Sequence, residues 1–312
     1  MSATAETTSL PGERVVFALP SVAGVFAPQH IALERGFFRE EGLNVELPVA
    51  RSNLIAAGLS AGEIDYTGSF SPSVRNTLSG LPIRIVAATT RATRQVVVAP
   101  GIQSIEQLRG QTIAVGVIGD GPYNAGVLAL AHFGIGPDEV TWMGAGGTTE
   151  RILAVQQGAA QAVILGSSEV PGAKAVGLVP ILHLNEIAPL PEGGAATTVR
   201  KIETQRDQVK RVVRALVRAL QYLKSNREGS IPILMQFLSL SRETAEEVYD
   251  ATLSDFVDDG TIDERSLRYT IESEKKQLGL TADVTTDQVT DFGPLYEVLG
   301  EMGITPAPDS AR

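Results

Sequence analysis

The 312-residue sequence contains no cysteine, and this absence removes several kinds of chemistry at once. Disulfide bonds, thiolate nucleophiles, iron–sulfur clusters and cysteine-bound zinc all require that side chain. Histidine is scarce as well: His30, His132 and His183 lie far apart, and no His-Glu-x-x-His motif is present. We therefore expect no metal ion, no cofactor and no cysteine-dependent or zinc-dependent catalysis.

Positive charge is also in short supply, with 26 lysines and arginines against 36 acidic residues and a net charge of −10. A nucleic-acid-binding surface needs clustered basic residues, so we expect no nucleic-acid partner. The negative charge suits a soluble monomer that self-repulsion keeps dispersed. No apolar run approaches the roughly 18 residues of a membrane span. The length favours two domains.

Residues 1–13 have neither the basic start nor the apolar core of a signal peptide. We expect either a cytoplasmic protein or a mature periplasmic protein whose signal peptide has been replaced by Met1. Residues 1–13 and 306–312 are expected to be flexible tails.

Strand-like and helix-like segments alternate over the first two thirds of the chain. Most strand candidates are short runs of β-branched and other apolar residues, followed by a helical pattern. This alternation predicts parallel sheets with helices on both faces. The predicted strands are residues 15–19, 45–49, 64–70, 82–90, 112–117, 139–146 and 161–167.

After Thr198 the pattern becomes almost entirely helical between residues 203 and 279. The stretch VKRVVRALVRALQYL places valines and leucines on one side of a helix and Arg211, Arg214 and Arg218 on the other. A basic amphipathic helix of this kind can lie on a membrane surface. A surface helix packed on its own domain explains the same pattern, and we favour that interpretation.

The glycine-rich stretch GVIGDGPYNAG, residues 116–126, follows a predicted strand and opens a helix. Unpaired N–H groups at a helix start attract anions, and glycine lets a ligand approach the main chain. The G-x-x-G-x-G spacing differs from the dinucleotide-binding G-x-G-x-x-G, and the lysine of a P-loop is missing. Similar small or polar stretches follow other predicted strands, at 20–24, 50–53, 67–73, 88–93, 144–150 and 166–169.

Such stretches at the carboxyl ends of strands favour ligand binding by amides and hydroxyls over catalysis. No G-x-S-x-G nucleophile elbow is present. A calcium-like run at 255–266 has Val257 and Ser266 at ligand positions, so we reject it as a metal site.

Three motifs in order resemble the periplasmic substrate-binding proteins of ABC importers, in the branch that binds sulfonates, nitrate and thiamine precursors. They are ALERGFFREEGLNVEL at 32–47, LSAGEIDYTGSFSP at 59–72 and SIEQLRGQTIAVGVIGDGPY at 104–123. The resemblance extends from Arg14 to about Gly303. It implies an α/β, two-lobed fold of the type II periplasmic-binding kind. In that fold each lobe is a mainly parallel sheet flanked by helices, and the ligand cleft lies between the lobes.

By the same resemblance, residues 14–98 and 199–305 form the first lobe, which includes the C-terminal helices, and residues 99–198 form the second. Ligand contacts are expected in the loops at strand ends and at the start of a second-lobe helix. From their own chemistry, Phe26, Phe70 and Tyr123 are candidates to pack against a ring of the ligand, and Phe26 fits a place in the core equally well. The candidate ligand-binding residues are Ser21, Val22, Phe26, Ser52, Ser69, Phe70, Thr90, Arg91, Gly119, Asp120, Gly121, Tyr123, Ser167 and Glu169.

The implied function is that of a periplasmic solute-binding protein, which captures a small molecule by hinge closure and hands it to the membrane subunits of an ABC transporter. Arg51, Arg91 and Arg94 favour a carboxylate, sulfonate or aromatic anion, with Arg91 as the preferred partner. A neutral pyrimidine-like heterocycle is the second choice. The alternative is an enzyme of the same fold that acts on a thiamine-pyrimidine-like or menaquinone-pathway molecule. The lack of cysteine counts against the pyrimidine-forming branch.

Overall fold

The structure is a computed structural model that describes residues 12–91, 94–119, 121–187 and 190–311. Their packing divides the chain into two units. The first comprises residues up to Thr89, Gly193–Asn226 and the residues from Asp258 onward, and the second comprises Thr90–Glu192 and Arg227–Val257.

Each unit contains a five-stranded sheet built from the described residues. The sheet of the first unit has the strand order β2-β1-β3-β10-β4, and that of the second β7-β6-β8-β5-β9. The strands are β1 (Glu13–Ala18), β2 (Leu43–Glu46), β3 (Tyr66–Ser69), β4 (Ile83–Thr90), β5 (Arg94–Val98), β6 (Thr112–Val115), β7 (Thr141–Gly144), β8 (Ala162–Gly166), β9 (Val179–His183) and β10 (Gly193–Thr198).

Helices follow most of the strands, so the predicted alternation and the α/β fold are confirmed. The helices are α1 (Ala27–Glu34), α2 (Phe37–Glu40), α3 (Ser52–Ala61), α4 (Ser71–Leu78), α5 (Gly121–His132), α6 (Thr148–Gln156), α7 (Val170–Ala175), α8 (Val199–Thr204), α9 (Arg206–Ser225), α10 (Arg227–Leu238), α11 (Arg242–Thr252), α12 (Glu264–Leu278) and α13 (Gly293–Glu301). Among the described residues, no helix is both long and apolar enough to cross a membrane.

Both sheets contain antiparallel strands as well as parallel ones. In the first sheet, β1 runs parallel to β2 and β3, whereas β10 runs antiparallel to β3. In the second, β6 runs parallel to β7 and β8, whereas β5 runs antiparallel to β8 and β9. The sequence patterns predicted the strands that alternate with helices but not β5, β9 or β10.

The division between the units differs from the predicted lobes at both crossings. We expected residues 94–98 in the first lobe, but β5 pairs with β8 and β9 of the second sheet. We expected residues 193–198 in the second lobe, but β10 pairs with β3 of the first sheet. Helices α10 and α11 likewise belong to the second unit, because α11 packs against α7 and the 3-10 turn Ser167–Glu169.

The second sheet is buried on both faces, as its sequence periodicity requires. Val96 and Val98 of β5 point into one apolar cluster, together with residues of α5. Val97, between them, points into a second cluster with residues of α6 and α7. Successive side chains of a strand point to opposite faces, so a continuous apolar run marks a sheet covered on both sides.

The arginine face of α9 is used within the first unit. Arg214 pairs with Glu41 at 2.7 Å and also with Glu301, and Arg218 pairs with Glu40. The opposite face of α9 is buried throughout. The prediction of a surface helix packed on its own domain is therefore confirmed.

The motif that carries the family resemblance is a packing motif. Gly36 ends α1 in the left-handed region (φ 75°), which favours glycine. Phe38 is buried, while Phe37 packs edge-on against Tyr222 of α9 at 5.9 Å and beneath the guanidinium of Arg218 at 4.5 Å. The ERGFF stretch thus packs α1 and α2 on α9. Its presence indicates the fold and gives no information about the ligand.

We expect Glu41→Gln to lower the free energy of unfolding by about 1 kcal/mol, because Glu41 is shielded and paired with Arg214. Urea unfolding at low salt measures this loss, and high salt should shrink it only in part. Glu46→Gln is the matched control: Glu46 pairs with Arg14 but both side chains are more than half exposed, so the change should be close to zero. Equal effects of the two substitutions would contradict the role of shielding.

The prediction of a flexible C-terminal tail is wrong for the described residues 306–311. Ala311 is buried, its N–H donates to the Ile262 carbonyl at 2.8 Å, and the Tyr296 hydroxyl donates to the Ala311 carbonyl. Ser310 forms a bridge with Asp263 at the start of α12. Ala311 and Ser310 are thus held against the first unit. Residues 1–11 lie outside the described residues.

Candidate functional site

A pocket lies at the edge of the first sheet where the parallel strands β1, β2 and β3 end. Helix α3 is the next helix after β2, and α4 the next after β3, so both N-termini lie at this edge. The pocket is shallow and open to solvent, and its enclosed volume is about 10 Å³. Its lining residues are Ser52, Ile55, Thr67, Ser69, Pro72, Ser73 and Asn76.

The pocket is polar but carries no charge among its lining residues. The hydroxyl of Ser73 donates to the Ser69 carbonyl at 2.7 Å, which fixes the first turn of α4. Within the described residues, the side chains of Ser52, Ser69 and Asn76 make no hydrogen bond of their own. They can therefore donate to or accept from a bound molecule.

The two helix starts add a positive partial charge to this edge. Neither α3 nor α4 has an acidic residue in its first turn or a capping hydrogen bond from its N-cap side chain. The positive end of each helix dipole is therefore not offset by that helix itself. An electronegative group of a ligand is favoured there.

Two of the first-unit residues predicted as ligand contacts, Ser52 and Ser69, line this pocket. Ser21 and Val22 are exposed in the loop after β1. Arg51, which precedes α3, is also exposed and is not among the lining residues.

The two predicted ring contacts of the first unit lie in its core instead. Phe26 is 4% exposed and Phe70 is 0% exposed. Phe26 occupies the space left by the missing side chain of Gly68, where a Cβ would lie 3.1 Å from its ring. We therefore no longer propose these two as ligand contacts.

The pocket also contains residues that the sequence interpretation missed, namely Ile55, Thr67, Pro72, Ser73 and Asn76. Ser73 and Asn76 are three positions apart and share a face of α4. That spacing of polar residues after Ser69 was the signal in the sequence that could have identified them.

A second polar edge lies in the second unit, where β6, β7 and β8 end. β5 begins at this edge, because Arg94 pairs with Gly166, the last residue of β8. β9 ends there as well, because His183 lies opposite Gln95. The side chains at these strand ends are therefore neighbours.

The glycine-rich stretch leads into α5 at this edge. Gly119 has φ 92°, a left-handed conformation that favours glycine. Gly121 is the first residue of α5, and a Cβ there would lie 3.2 Å from Nη2 of Arg94. Tyr123, a predicted ligand contact, packs its ring against Trp142 at 4.7 Å. Asp120, also predicted, lies outside the described residues.

Glu169, another predicted contact, is occupied by internal partners. Its carboxylate accepts from the Gly166 N–H at 2.7 Å and from the Thr148 hydroxyl. Arg151 lies 3.7 Å from the same carboxylate, and its guanidinium donates to the Ile164 carbonyl and to Thr148. This network holds the start of α6 against the end of β8.

Ser167, the remaining predicted contact of this edge, is fully buried in a cluster with His183 and Asp255. Nε2 of His183 lies 3.2 Å from the Ser167 hydroxyl and, at ion-pair distance, 2.8 Å from Oδ1 of Asp255. The backbone N–H of Asn185 donates to Nδ1 of His183, so the neutral ring carries its proton on Nε2. Burial raises the pKa of Asp255, and the interactions with His183 and Ser167 oppose that rise.

This cluster has the residue types of a catalytic triad but not its geometry. In a triad the base uses one ring nitrogen for the serine and the other for the carboxylate. Here Ser167 and Asp255 approach the same nitrogen of His183, and Ser167 is 0% exposed. The arrangement cannot activate the serine toward an external substrate.

Thr90 and Arg91 lie beside this cluster. Thr90 is 0% exposed and forms a bridge with Phe256. The backbone N–H of Arg91 donates to the Asp255 carbonyl at 2.7 Å. Both residues thus position the segment that contains Asp255. Among the described residues, the Arg91 side chain forms no hydrogen bond or ion pair.

Comparison with solved structures gives the class of fold. A putative periplasmic sulfonate-binding protein from Methylobacillus flagellatus superposes with a TM-score of 0.77 at 15% identity, covering 95% of this chain and 98% of that one. The periplasmic aliphatic sulphonate-binding protein from Escherichia coli gives 0.73 at 14% identity, with 91% and 92% covered. A Cys-to-Ser mutant of DszB in complex with biphenyl-2-sulfinic acid gives 0.68 at 15% identity, with 93% and 99% covered. The chain therefore has the two-lobed periplasmic binding protein fold.

The family follows from the sequence itself. The NMT1/THI5-like family model matches residues 23–230, about two thirds of the chain. The chain belongs to the NMT1/THI5-like family, which confirms the branch suggested by the three motifs. No curated protein shows significant similarity to the chain.

Proposed function

We propose that this chain is the solute-binding protein of an ABC importer, and that its solute is a small organic molecule with a carboxylate, sulfonate or aromatic anionic group. The observation that carries the proposal is the polar pocket at the carboxyl edge of the first sheet, lined by serines, a threonine and an asparagine. Two helix N-termini at this edge favour an electronegative ligand group. The sulfonate-binding proteins with the same fold support the ligand class.

Binding without catalysis fits the chemistry of both polar edges. The pocket of the first unit offers hydroxyl and amide groups but no charged acid or base. In the second unit, Ser167 and Asp255 share one nitrogen of His183, and this geometry provides no nucleophile. We therefore propose that the chain binds its ligand without converting it. An enzyme of this fold would need a reactive group that neither edge supplies.

The proposed setting follows from the function. A solute-binding protein of this kind works in the periplasm and hands its ligand to the membrane subunits of its transporter. Its proposed state is a monomer without a nucleic-acid partner, in keeping with the net charge of −10.

Thermal unfolding with a panel of carboxylates, sulfonates and pyrimidines tests the proposal, because a bound ligand raises the melting temperature by mass action. Ser52→Tyr should abolish this rise, since a ring at the pocket wall fills the space of the ligand. Trp142, the sole tryptophan of the sequence, packs against Tyr123 and supplies a second readout by its fluorescence.

Ser60→Tyr is the control for this experiment. Ser60 lies in the last turn of the same helix, is exposed and is not a lining residue. This variant should bind like the wild-type protein. Turnover of a panel member would contradict the proposal, and so would a ligand-induced rise that Ser52→Tyr leaves intact.

A further inference from the structure

We propose that Arg94 is the residue of the second unit that binds an anionic group of the solute, and that Glu192 competes with the solute for this guanidinium. The inference rests on the proposed function, which it deepens by assigning the charge-neutralising group.

The position of Arg94 makes it a candidate. Its guanidinium lies against Gly121, where a Cβ would come within 3.2 Å of Nη2. Gly121 begins the 12-residue helix α5, so the guanidinium and the positive end of a helix dipole lie side by side. Two positive groups at one place repel each other unless an anion lies near both.

The hydrogen-bonding capacity of Arg94 is unused within the described residues. A guanidinium has five N–H donors, and arginine keeps its charge at all ordinary pH values. The side chain is about three-quarters buried, and its one ionic partner in the described part of the chain is Glu192. Nε of Arg94 lies 3.7 Å from Oε1 of Glu192, which is beyond the length of an N–H···O hydrogen bond.

The other arginines of this edge differ from Arg94. Arg151 already donates to the Ile164 carbonyl and to the Thr148 hydroxyl, and Glu169 lies beside it. For Arg91, the structure shows a backbone hydrogen bond to Asp255 but no side-chain contact with α5. Arg94 is therefore the arginine of this edge that lies at the start of α5 and whose N–H donors are not used by the described residues.

Glu192 has the position of an internal counter-ion. At 3.7 Å it lowers the electrostatic cost of the largely buried guanidinium, but it does not satisfy the N–H donors. A carboxylate or sulfonate that reaches two of those donors would form shorter, charge-assisted hydrogen bonds and displace Glu192. The same carboxylate must then weaken anion binding, because it competes for the site and repels the ligand.

Isothermal titration with benzenesulfonate and benzoate, and with the neutral benzenesulfonamide and benzamide, tests both parts of the inference. Arg94→Gln should weaken binding of the anions by about 30-fold, since it removes charge-assisted hydrogen bonds. Glu192→Gln should strengthen it by about 3-fold to 10-fold. Binding of the neutral probes should change little in either variant. Arg200→Gln, at an exposed arginine of α8, controls for the loss of one positive charge.

The melting temperature of the ligand-free protein supplies a second readout. Without ligand, Glu192→Gln should melt below the wild-type protein, because Arg94 loses its counter-ion, and benzenesulfonate should restore more stability to this variant than to the wild type. Thermal unfolding measures both shifts in melting temperature.

The outcomes separate this inference from the proposed function. Anion binding that survives Arg94→Gln but is lost in Arg91→Gln would overturn the inference and leave the solute-binding function standing. Binding of the neutral probes alone would do the same. If the wild-type protein binds none of the four probes and no member of the wider solute panel, both the inference and the proposed function fail.

Discussion

His183→Ala is expected to lower the free energy of unfolding by about 3 kcal/mol at neutral pH, because it removes the polar side chain that lies 2.8 Å from the buried carboxylate of Asp255. In the wild-type protein Asp255 is 0% exposed, and Nε2 of His183 lies 2.8 Å from Oδ1 of its carboxylate. Removing one member of a buried pair costs far more than removing one member of an exposed pair, since water cannot replace the lost partner. Chemical denaturation followed by far-UV circular dichroism measures the loss.

The loss should depend on pH, with a sign that follows from Asp255. Its pKa in the folded protein is raised above the usual 3.8, because burial disfavours the charged form. A raised pKa means that the stabilising contribution is complete at low pH and is lost as the pH rises through the folded-state pKa. His183 opposes the rise, so His183→Ala raises this pKa further. The destabilisation should therefore be largest at pH 8 and should shrink as acid protonates Asp255.

Two further variants distinguish charge from packing in this cluster. Asp255→Asn keeps the shape and removes the charge, so it should cost less than His183→Ala and show little dependence on pH. In the Asp255→Asn background, His183→Ala should cost about 1–2 kcal/mol, which is the contribution of packing and the remaining hydrogen bonds. Equal losses for His183→Ala in both backgrounds, or a loss that grows toward acid pH, would contradict a buried ion pair.

The strands that alternate with helices were predictable because their patterns are local. β1 and β8 contain apolar runs bounded by turn residues, and each precedes a 3-10 turn. β10 reads GGAATT, and glycine and alanine are poor strand formers. β9 contains Pro180, which is confined to edge strands, and β9 does end its sheet. β9 and β10 form because neighbouring strands of their sheets are available to pair with them, which no local pattern shows.

Site residues that lie next to a predicted strand could be identified from the sequence. Site residues whose position depends on the pairing of strands distant in the sequence could not. Ser52 begins α3 and Ser69 ends β3, and both line the pocket as expected. The sequence interpretation preferred Arg91 to Arg94 as the partner of an anionic ligand. The structure makes Arg94 the first residue of β5, opposite Gly166, and thereby places it beside α5. That placement depends on an antiparallel strand that the sequence did not reveal.

The same reasoning explains why the family motif did not predict the ligand. Its residues Phe37 and Phe38 pack α2 on its neighbours, and Glu41 pairs with Arg214. A motif that holds helices together is retained whenever the fold is retained, whatever the protein binds. The groups expected to select a ligand, such as Asn76 and Arg94, lie outside the ERGFF stretch.

Gly194→Ala is expected to lower the free energy of unfolding by about 3 kcal/mol, because β10 has no room for a side chain at this position. A Cβ on Gly194 would lie 2.5 Å from the carbonyl oxygen of Ala87 and 3.2 Å from the ring of Phe70. The first of these atoms belongs to the backbone of β4, so it cannot move aside as a side chain can. Relief requires that β10 shift, and the buried hydrogen bond from Gln29 to the Gly194 carbonyl would lengthen.

Gly300→Ala is the matched control, because the same methyl group meets nothing within 4 Å in α13 and should be neutral or stabilising by up to about 1 kcal/mol. Urea unfolding compares the two variants. The neighbouring Gly193 pairs with Ser69 of the pocket, so a shift of β10 should also weaken ligand binding. If Gly194→Ala unfolds and binds like the wild type, then β10 is free to relax, and the close packing that supports the pocket is contradicted.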